Sequence, residues 1–232
     1  MDSRKVIIVS GGSRGLGAAI VKQLIDADYA VATFSRNSSQ VVEHWQAEAG
    51  DRFQFQAIDL ADADAVEGFV ATVHQKFGRV DSLVNNAAIA GDGVLATTDD
   101  TSLQSMLDIN LAATIRLTRA CLRLMLLREQ GAIVNIASVA GLRGMAGLSV
   151  YSATKAGLIG FSRSLAREVG PKGICVNTIA PGYLETEMSA GLPSEQIQKI
   201  IRQTPLGRLG SVDDVVPCVE FLLSDVARFI TG

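Results

Sequence analysis

The feature that most limits what this chain can fold into is an alternation. Short β-branched runs are each followed by a longer segment whose apolar residues fall at helical spacing. The first unit reads Val6-Ile7-Ile8-Val9, then a glycine-rich turn, then an amphipathic stretch from Ala18 to Asp28. Runs at Ala30–Phe34, Phe53–Ile58, Ser82–Asn85, Ala132–Ala137 and Gly173–Ile179 repeat it. Strands joined in this way run parallel, because each needs a crossover long enough to return the chain, and the helices then cover both faces of the sheet. The expectation is an α/β fold: one domain over residues 1–232, built as a Rossmann-like doubly wound parallel sheet. No internal repeat, low-complexity tract or linker divides the chain. At 232 residues such a sheet buries a sizeable core as one unit.

Thr101–Glu129 and Tyr151–Val169 are expected as the long helices. The second carries Leu158, Ile159, Phe161 and Leu165, apolar surface that either a subunit interface or the chain's own fold can cover. Between Pro181 and Gly210 the periodicity weakens around Pro193 and Pro205, with Ile197, Ile200 and Ile201 in a short helical stretch. Residues 183–210 are expected to form a lid.

Composition narrows the setting. A net charge of −3 and a pI near 5.4 argue against a generally basic surface for nucleic acid or anionic lipid. No apolar stretch reaches membrane-spanning length, and Met1–Ser10 lacks the long hydrophobic region of a secretory signal. Cys121, Cys175 and Cys218 are odd in number and widely spaced, which fits buried reduced thiols better than a metal site or a disulfide framework. A cytoplasmic protein without metal, membrane or nucleic-acid partners is expected.

Directly after the first strand comes Ser10-Gly11-Gly12-Ser13-Arg14-Gly15-Leu16-Gly17. Glycines there allow positive φ and close approach of backbone to a pyrophosphate, whose charge suits the free N–H groups opening a helix. The spacing, Gly11-x-x-x-Gly15-x-Gly17, differs from Gly-x-Gly-x-x-Gly. Taken alone it is equally a tight strand-to-helix turn; its place before the first helix makes it a dinucleotide site. The second strand ends Phe34-Ser35-Arg36-Asn37, where a site preferring NADH offers a carboxylate to the ribose hydroxyls. None is present. Arg36 with Arg14 suits the 2′-phosphate of NADPH instead, the bland alternative being two solvated arginines.

Tyr151-Ser152-Ala153-Thr154-Lys155 sets a phenol and an ammonium four residues apart, on one helical face. Such a pair is common on exposed helices. Its chemical use is that a cation favours the phenolate and so makes tyrosine a better acid. Hydride reaching a carbonyl carbon leaves charge on oxygen, which needs a proton and a second donor. Ser138, at the end of a strand, can be that donor.

The chain resembles the classical short-chain dehydrogenase/reductase family at separated points: the glycine turn, Asn85-Asn86-Ala87-Ala88, Asn110, Ser138, Tyr151 with Lys155, and Pro181-Gly182. These stand in the family's order over nearly the whole length. The resemblance implies Tyr151 as proton donor, Ser138 as carbonyl-orienting group, Lys155 on the nicotinamide ribose, and Asn110 holding a water in a proton relay. It assigns the adenine to Asp59 and Leu60, the cofactor wall to Asn86 and Ala87, and the nicotinamide to Pro181, Gly182, Leu184 and Thr186. Without the family, Asp59 reads as a helix cap, Asn110 as a mid-helix polar residue and Pro181-Gly182 as a turn.

Three departures stand out. Ser10 replaces the usual Thr and keeps the hydroxyl. Ala88 replaces the usual Gly, adding a methyl near the cofactor. The chain stops at Phe229-Ile230-Thr231-Gly232, where relatives continue for about a dozen residues through a last strand, which leaves an expected open sheet edge and a pocket short of a wall.

Leu158 to Glu168, Ala180 to Met188 and Pro205 to Gly210 narrow the resemblance to bacterial 3-oxoacyl-acyl-carrier-protein reductases. This implies an acyl thioester substrate in fatty-acid or polyketide-like synthesis and a homo-tetramer built on the long helices. An acidic carrier needs a basic landing patch, for which Arg128 and Lys172 are candidates, ordinary surface charge being the other reading. Two alternatives remain: a reductase for another ketone or alcohol, and a catalytically silent NADPH-binding module.

Overall fold

The structure, a computed structural model, describes residues 4–91, 93–186 and 193–232. Six parallel strands form one sheet in the order β3-β2-β1-β4-β5-β6: β1 Val6–Ser10, β2 Ala30–Ser35, β3 Phe53–Ala57, β4 Ser82–Asn85, β5 Gly131–Ile136 and β6 Ile174–Ile179. The order reverses between β1 and β4, and the ends of these two strands border the crevice where doubly wound sheets bind ligands.

The helices are α1 Gly15–Asp26, α2 Gln40–Ala49, α3 Ala63–Phe77, α4 Asp100–Leu107, α5 Thr114–Leu126, α6 Val139–Arg143, α7 Ser149–Val169, α8 Ser194–Gln203 and α9 Val216–Leu223. Because both faces of the sheet are covered, successive residues of a strand enter different cores. In β1, Val6 and Ile8 pack with Phe69, Val70 and Val73 of α3, Leu117 and Met125 of α5, and Leu165 and Val169 of α7. Ile7 and Val9 pack with Ile20, Val21 and Leu24 of α1, Val42 and Trp45 of α2, and Val219 and Leu223 of α9. Each fully buried aliphatic contributes about 1.5–3 kcal/mol, so unbroken apolar strands favour this two-sided arrangement.

The α7 question resolves in favour of the chain's own fold. Leu158, Ile159 and Leu165 are buried within this chain, and Phe161 packs at the margin of the same core.

The expected single helix over Thr101–Glu129 is instead three segments. Between α4 and α5 the residues Asp108–Ala113 form a π-helical turn, and Asn110 sits in it, buried. Its amide explains the widening: Oδ1 accepts from Ile89 N–H at 2.8 Å and Nδ2 donates to Ile89 C=O at 2.8 Å. The cysteine expectation also needs correcting. Cys121 is buried, but Cys175 is half-buried and Cys218 exposed, and all three are free.

The outer edge of β6 is partly occupied. Gly232 N–H donates to Val176 C=O at 2.9 Å, Thr231 Oγ1 accepts from Val176 N–H at 3.0 Å, and Asn177 Nδ2 donates to Ile230 C=O at 2.7 Å. Over the lid interval, Leu184 pairs with Gly210 in a parallel bridge, with Glu185 N–H donating to Gly210 C=O and Gly210 N–H to Tyr183 C=O. Residues 187–192, which include Glu187 and Met188 of the family-like stretch, lie outside the described residues. No helix among the described residues is long and apolar enough to cross a membrane, and no metal-ligating cluster occurs among them.

Candidate active site

The glycine turn follows β1 at the crevice. Gly11 and Gly15 adopt φ of 71° and 54°, where a side chain is strained. Gly17 is required by space: a Cβ there would lie 2.1 Å from Gly11 C=O and 2.5 Å from Asn86 Nδ2. Thr33 Oγ1 steadies the turn, accepting from Gly12 N–H at 3.1 Å and donating to Val9 C=O at 2.7 Å.

Ser10 does more than replace a threonine. Its Oγ accepts from the N–H groups of both Asn86 and Ala87, at 3.0 and 3.1 Å, while Asn86 Nδ2 donates back to the carbonyls of Ser10 and Gly11. The turn after β1 and the turn after β4 are thus clasped together. Ser13 C=O receives Ser39 Oγ at 2.9 Å, and Leu16 packs on the α1 side of the core.

The residues present suit a dinucleotide. Helix α1 begins with no side-chain cap and no acidic residue in its first turn, and a Cβ on Gly15 would point into open space. Uncapped N–H groups at the positive end of a helix are an anion site. Arg14 and Arg36 are both exposed beside it, and Arg36 has no ion pair among the described residues.

Asp59 is no helix cap. Its Oδ1 accepts from Ala61 N–H at 2.9 Å in a turn, and Asp62 caps α3 instead. Leu60 is buried in the α3 side of the core.

Ser138, Tyr151 and Lys155 converge at the ends of β5 and β6. Ser138 caps α6, its Oγ accepting from Ala140 N–H at 3.1 Å. The next N–H, from Val139, donates to Pro181 C=O at 3.0 Å, which draws the Pro181-Gly182 turn alongside. Helix α6 packs closely on α7: a Cβ on Gly141 would lie 2.8 Å from Ala156 N. This contact sets the Ser138 hydroxyl near enough to the Tyr151 phenol to pull its pKa down. Lys155 is buried, with Nζ donating to Ile136 C=O at 2.8 Å and lying 5.7 Å from the Tyr151 ring centroid. Asn110 joins the group through Nδ2 to Thr154 Oγ1 at 3.3 Å, and Thr154 Oγ1 donates to Tyr151 C=O at 2.7 Å.

The electrostatic balance differs from the expectation. Burial pushes the Tyr151 pKa above its ordinary value, against the pull of the Ser138 hydrogen bond, and Tyr183 adds to the rise. Lys155 does not reverse this, because desolvation also acts on its ammonium and lowers it to about 8. Tyr151 therefore keeps its proton firmly, as a donor must until the acceptor oxygen gains charge.

Arg128 and Lys172 lie elsewhere. Both precede strands whose far ends carry Ser138 and Pro181, a separation of about 20 Å for a six-residue strand. Lys172 pairs with Glu129 at 2.8 Å, and Arg128 Nε lies 3.9 Å from Asp81. The pair makes no patch at the mouth of its own chain's site.

Sequence reasoning missed the roles of Ser10, Thr33 and Thr154. The available signal was a hydroxyl at an inward position of an otherwise apolar element, where burial demands a partner.

A glycine turn at the switch point, with a Ser-Tyr-Lys cluster across the crevice, defines a nucleotide-dependent oxidoreductase. Residues 5–197 match the family described as short chain dehydrogenase. The 3-oxoacyl-[acyl-carrier-protein] reductase FabG of Escherichia coli (strain K12) is 39% identical over 230 residues, covering 98% of this chain and 93% of that protein. Carbonyl reductase family member 4 of Xenopus tropicalis is 40% identical over 228 residues, covering 98% and 94%. Among solved structures, gox2181 superposes with a TM-score of 0.93 at 34% identity, covering 99% of this chain and 92% of that one. ElxO with NADP bound gives 0.90 at 31% identity, covering 99% and 95%. The chain belongs to the short chain dehydrogenase family.

Proposed function

We propose that the protein is an NADPH-dependent carbonyl reductase that converts a 3-oxoacyl thioester, carrier-bound, to the 3-hydroxyacyl form. The observation that carries this reading is the buried Lys155 ammonium, held on the Ile136 carbonyl at 2.8 Å and 5.7 Å from the Tyr151 ring centroid, with Ser138 close by at the end of β5. NADPH supplies the hydride.

Gly11, Gly12, Ser13, Gly15, Leu16 and Gly17 hold its pyrophosphate on backbone N–H groups, and Arg14 with Arg36 takes the 2′-phosphate. Asp59 and Leu60 flank the adenine, Asn86 and Ala87 the middle of the cofactor, and Pro181, Gly182, Leu184 and Thr186 the nicotinamide. Selection of NADPH is supported by the exposed Arg36 after β2, where no carboxylate stands, by the exposed Arg14 in the glycine turn, and by ElxO, a relative in fold whose structure holds NADP.

As the carbonyl oxygen gains negative charge, Ser138 donates a hydrogen bond to it and Tyr151 gives up its phenolic proton, so the oxygen ends as a hydroxyl. Lys155, whose pKa near 8 leaves it mainly charged at neutral pH, steadies the phenolate that remains. Asn110 holds the floor of the site by tying the Ile89 backbone to Thr154. The thioester preference rests on the FabG relatives, whose names state that substrate.

The test is NADPH oxidation measured with 3-oxoacyl thioesters, carrier-bound and free, beside simple cyclic ketones. Turnover on the thioesters is expected to exceed that on the ketones. Tight NADPH binding with no carbonyl compound reduced would refute the reading.

A further inference from the structure

Four polar side chains run in a buried line beneath the catalytic pole, and the proposed chemistry uses none of them. Asn85 on β4, Thr118 on α5, Asn135 on β5 and Ser162 on α7 are each at most 3% exposed. Strand register sets Asn85 beside Asn135. Asn85 Nδ2 donates to Thr118 Oγ1 at 2.8 Å and to Asn135 Oδ1 at 2.7 Å, and Asn135 Nδ2 donates to Ser162 Oγ at 2.7 Å. Both ends are tied to helix backbone one turn back: Thr118 Oγ1 donates to Thr114 C=O at 2.8 Å, and Ser162 Oγ to Leu158 C=O at 2.7 Å.

The line ends where the site begins. Asn135 immediately precedes Ile136, whose carbonyl receives Lys155 Nζ, and Ser162 lies two turns beyond Lys155 on α7. Thr114, at the other end, opens α5 directly after the π-helical turn that holds Asn110.

Apolar packing sets how far a helix stands from a sheet but is non-directional, so it tolerates small slides along the strand. A short, aligned hydrogen bond in a low-dielectric interior does not, because breaking it leaves both groups unsatisfied. Asn85 Oδ1 has no partner among the described residues. A wholly apolar filling would avoid that cost, so what the polar line supplies is geometry.

We infer that Asn135 and Ser162 are positioning residues whose hydrogen bond fixes α7 against β5 in the register that sets Lys155 on the Ile136 carbonyl and Tyr151 at Ser138. Asn85 and Thr118 extend the same tie to the helix that follows Asn110. The inference rests on the reading of Tyr151 as acid and Lys155 as its cationic neighbour.

The test compares Ser162→Ala, the all-apolar Asn135→Leu/Ser162→Ala, and Ser162→Thr, which keeps a hydroxyl on α7. The double variant is expected to melt cooperatively and bind NADPH within about threefold of wild type, while its kcat falls about 10- to 100-fold with a smaller change in KM. Ser162→Thr should recover kcat to within about threefold of wild type.

A second readout does not depend on turnover. The Lys155 resonance in protein carrying 13Cε-lysine, assigned with Lys155→Arg, should titrate at a shifted pH in Ser162→Ala and in the double variant, and at the wild-type pH in Ser162→Thr. A folded double variant with wild-type kcat and an unmoved Lys155 titration overturns the inference. If the double variant does not fold, Ser162→Ala against Ser162→Thr decides by the same two measurements. If wild type reduces no carbonyl compound, the proposed function fails, and the lysine titration alone decides the positioning role.

Discussion

The two ends of the sheet carry similar residue types and use them oppositely. Where the strands begin, charge meets charge: Arg4 with Asp28 at 2.9 Å, Lys5 with Asp225 at 2.6 Å, Arg52 with Asp28 at 3.3 Å, Lys172 with Glu129 at 2.8 Å, and Asp81 receiving Arg79 Nε at 2.6 Å and Val6 N–H at 2.8 Å. Where the strands end, Arg36 stands without an ion pair among the described residues, α1 opens uncapped, and Tyr151 faces Ser138 beside a buried ammonium. Charges paired within the chain are satisfied there, and Arg36, without an ion pair among the described residues, is available to a ligand. The same contrast explains why Arg128 and Lys172 fit the first pole better than a docking role for their own chain's site.

That contrast can be broken in four ways. Tyr151→Phe at the ligand pole should lower reduction by about two to four orders of magnitude, with little change in melting temperature; the check is steady-state kinetics beside calorimetry. At the other pole, Asp81→Ala strands Arg79 and the Val6 N–H, and is expected to cost about 3 kcal/mol in urea unfolding while kcat per folded molecule stays put.

Lys155 tests both ideas at once. Its proton is held less firmly in the folded chain, near pH 8, than at its ordinary value of 10.5. Between those limits the unfolded chain binds more protons, so stability rises with pH. Relative to Lys155→Met, wild type should gain up to about 3 kcal/mol from pH 8 to 10.5, followed by denaturant titration at each pH. The smallest effect is expected from Arg36→Ser, a rise of about tenfold in KM for NADPH with NADH unaffected, read from paired initial-rate curves. Equal weakening of both cofactors would place Arg36 with the solvated charges.

Most of the fold was legible because local pattern and tertiary role agree. The runs at Ala30–Phe34 and Ser82–Asn85 became β2 and β4 within a residue, since strands buried on both faces are mostly apolar, with the polar exceptions Thr33, Ser82 and Asn85. The break at Asp108–Ala113 was hidden because its cause is Ile89, far away in sequence, whose backbone draws in Asn110. The grouping of Ser138, Tyr151 and Lys155 could be read from spacing and resemblance. Their proton affinities could not, since burial governs them and the five letters from Tyr151 to Lys155 say nothing of how deeply Lys155 is enclosed. Likewise Asn135 reads as a polar interruption in a strand until Ser162 is seen opposite it.

The bridge between Leu184 and Gly210 has a consequence for how this scaffold can change. A segment that leaves and re-enters the body at adjacent points transmits little of its own length to what lies beneath, and lengthening such an excursion costs only about 0.6 kcal/mol per doubling. Insertions or deletions between Thr186 and Gly210 can therefore be accommodated while Ser138, Tyr151 and Lys155 stay in place. The length of that excursion is thus free to vary while the group formed by Ser138, Tyr151 and Lys155 keeps its place.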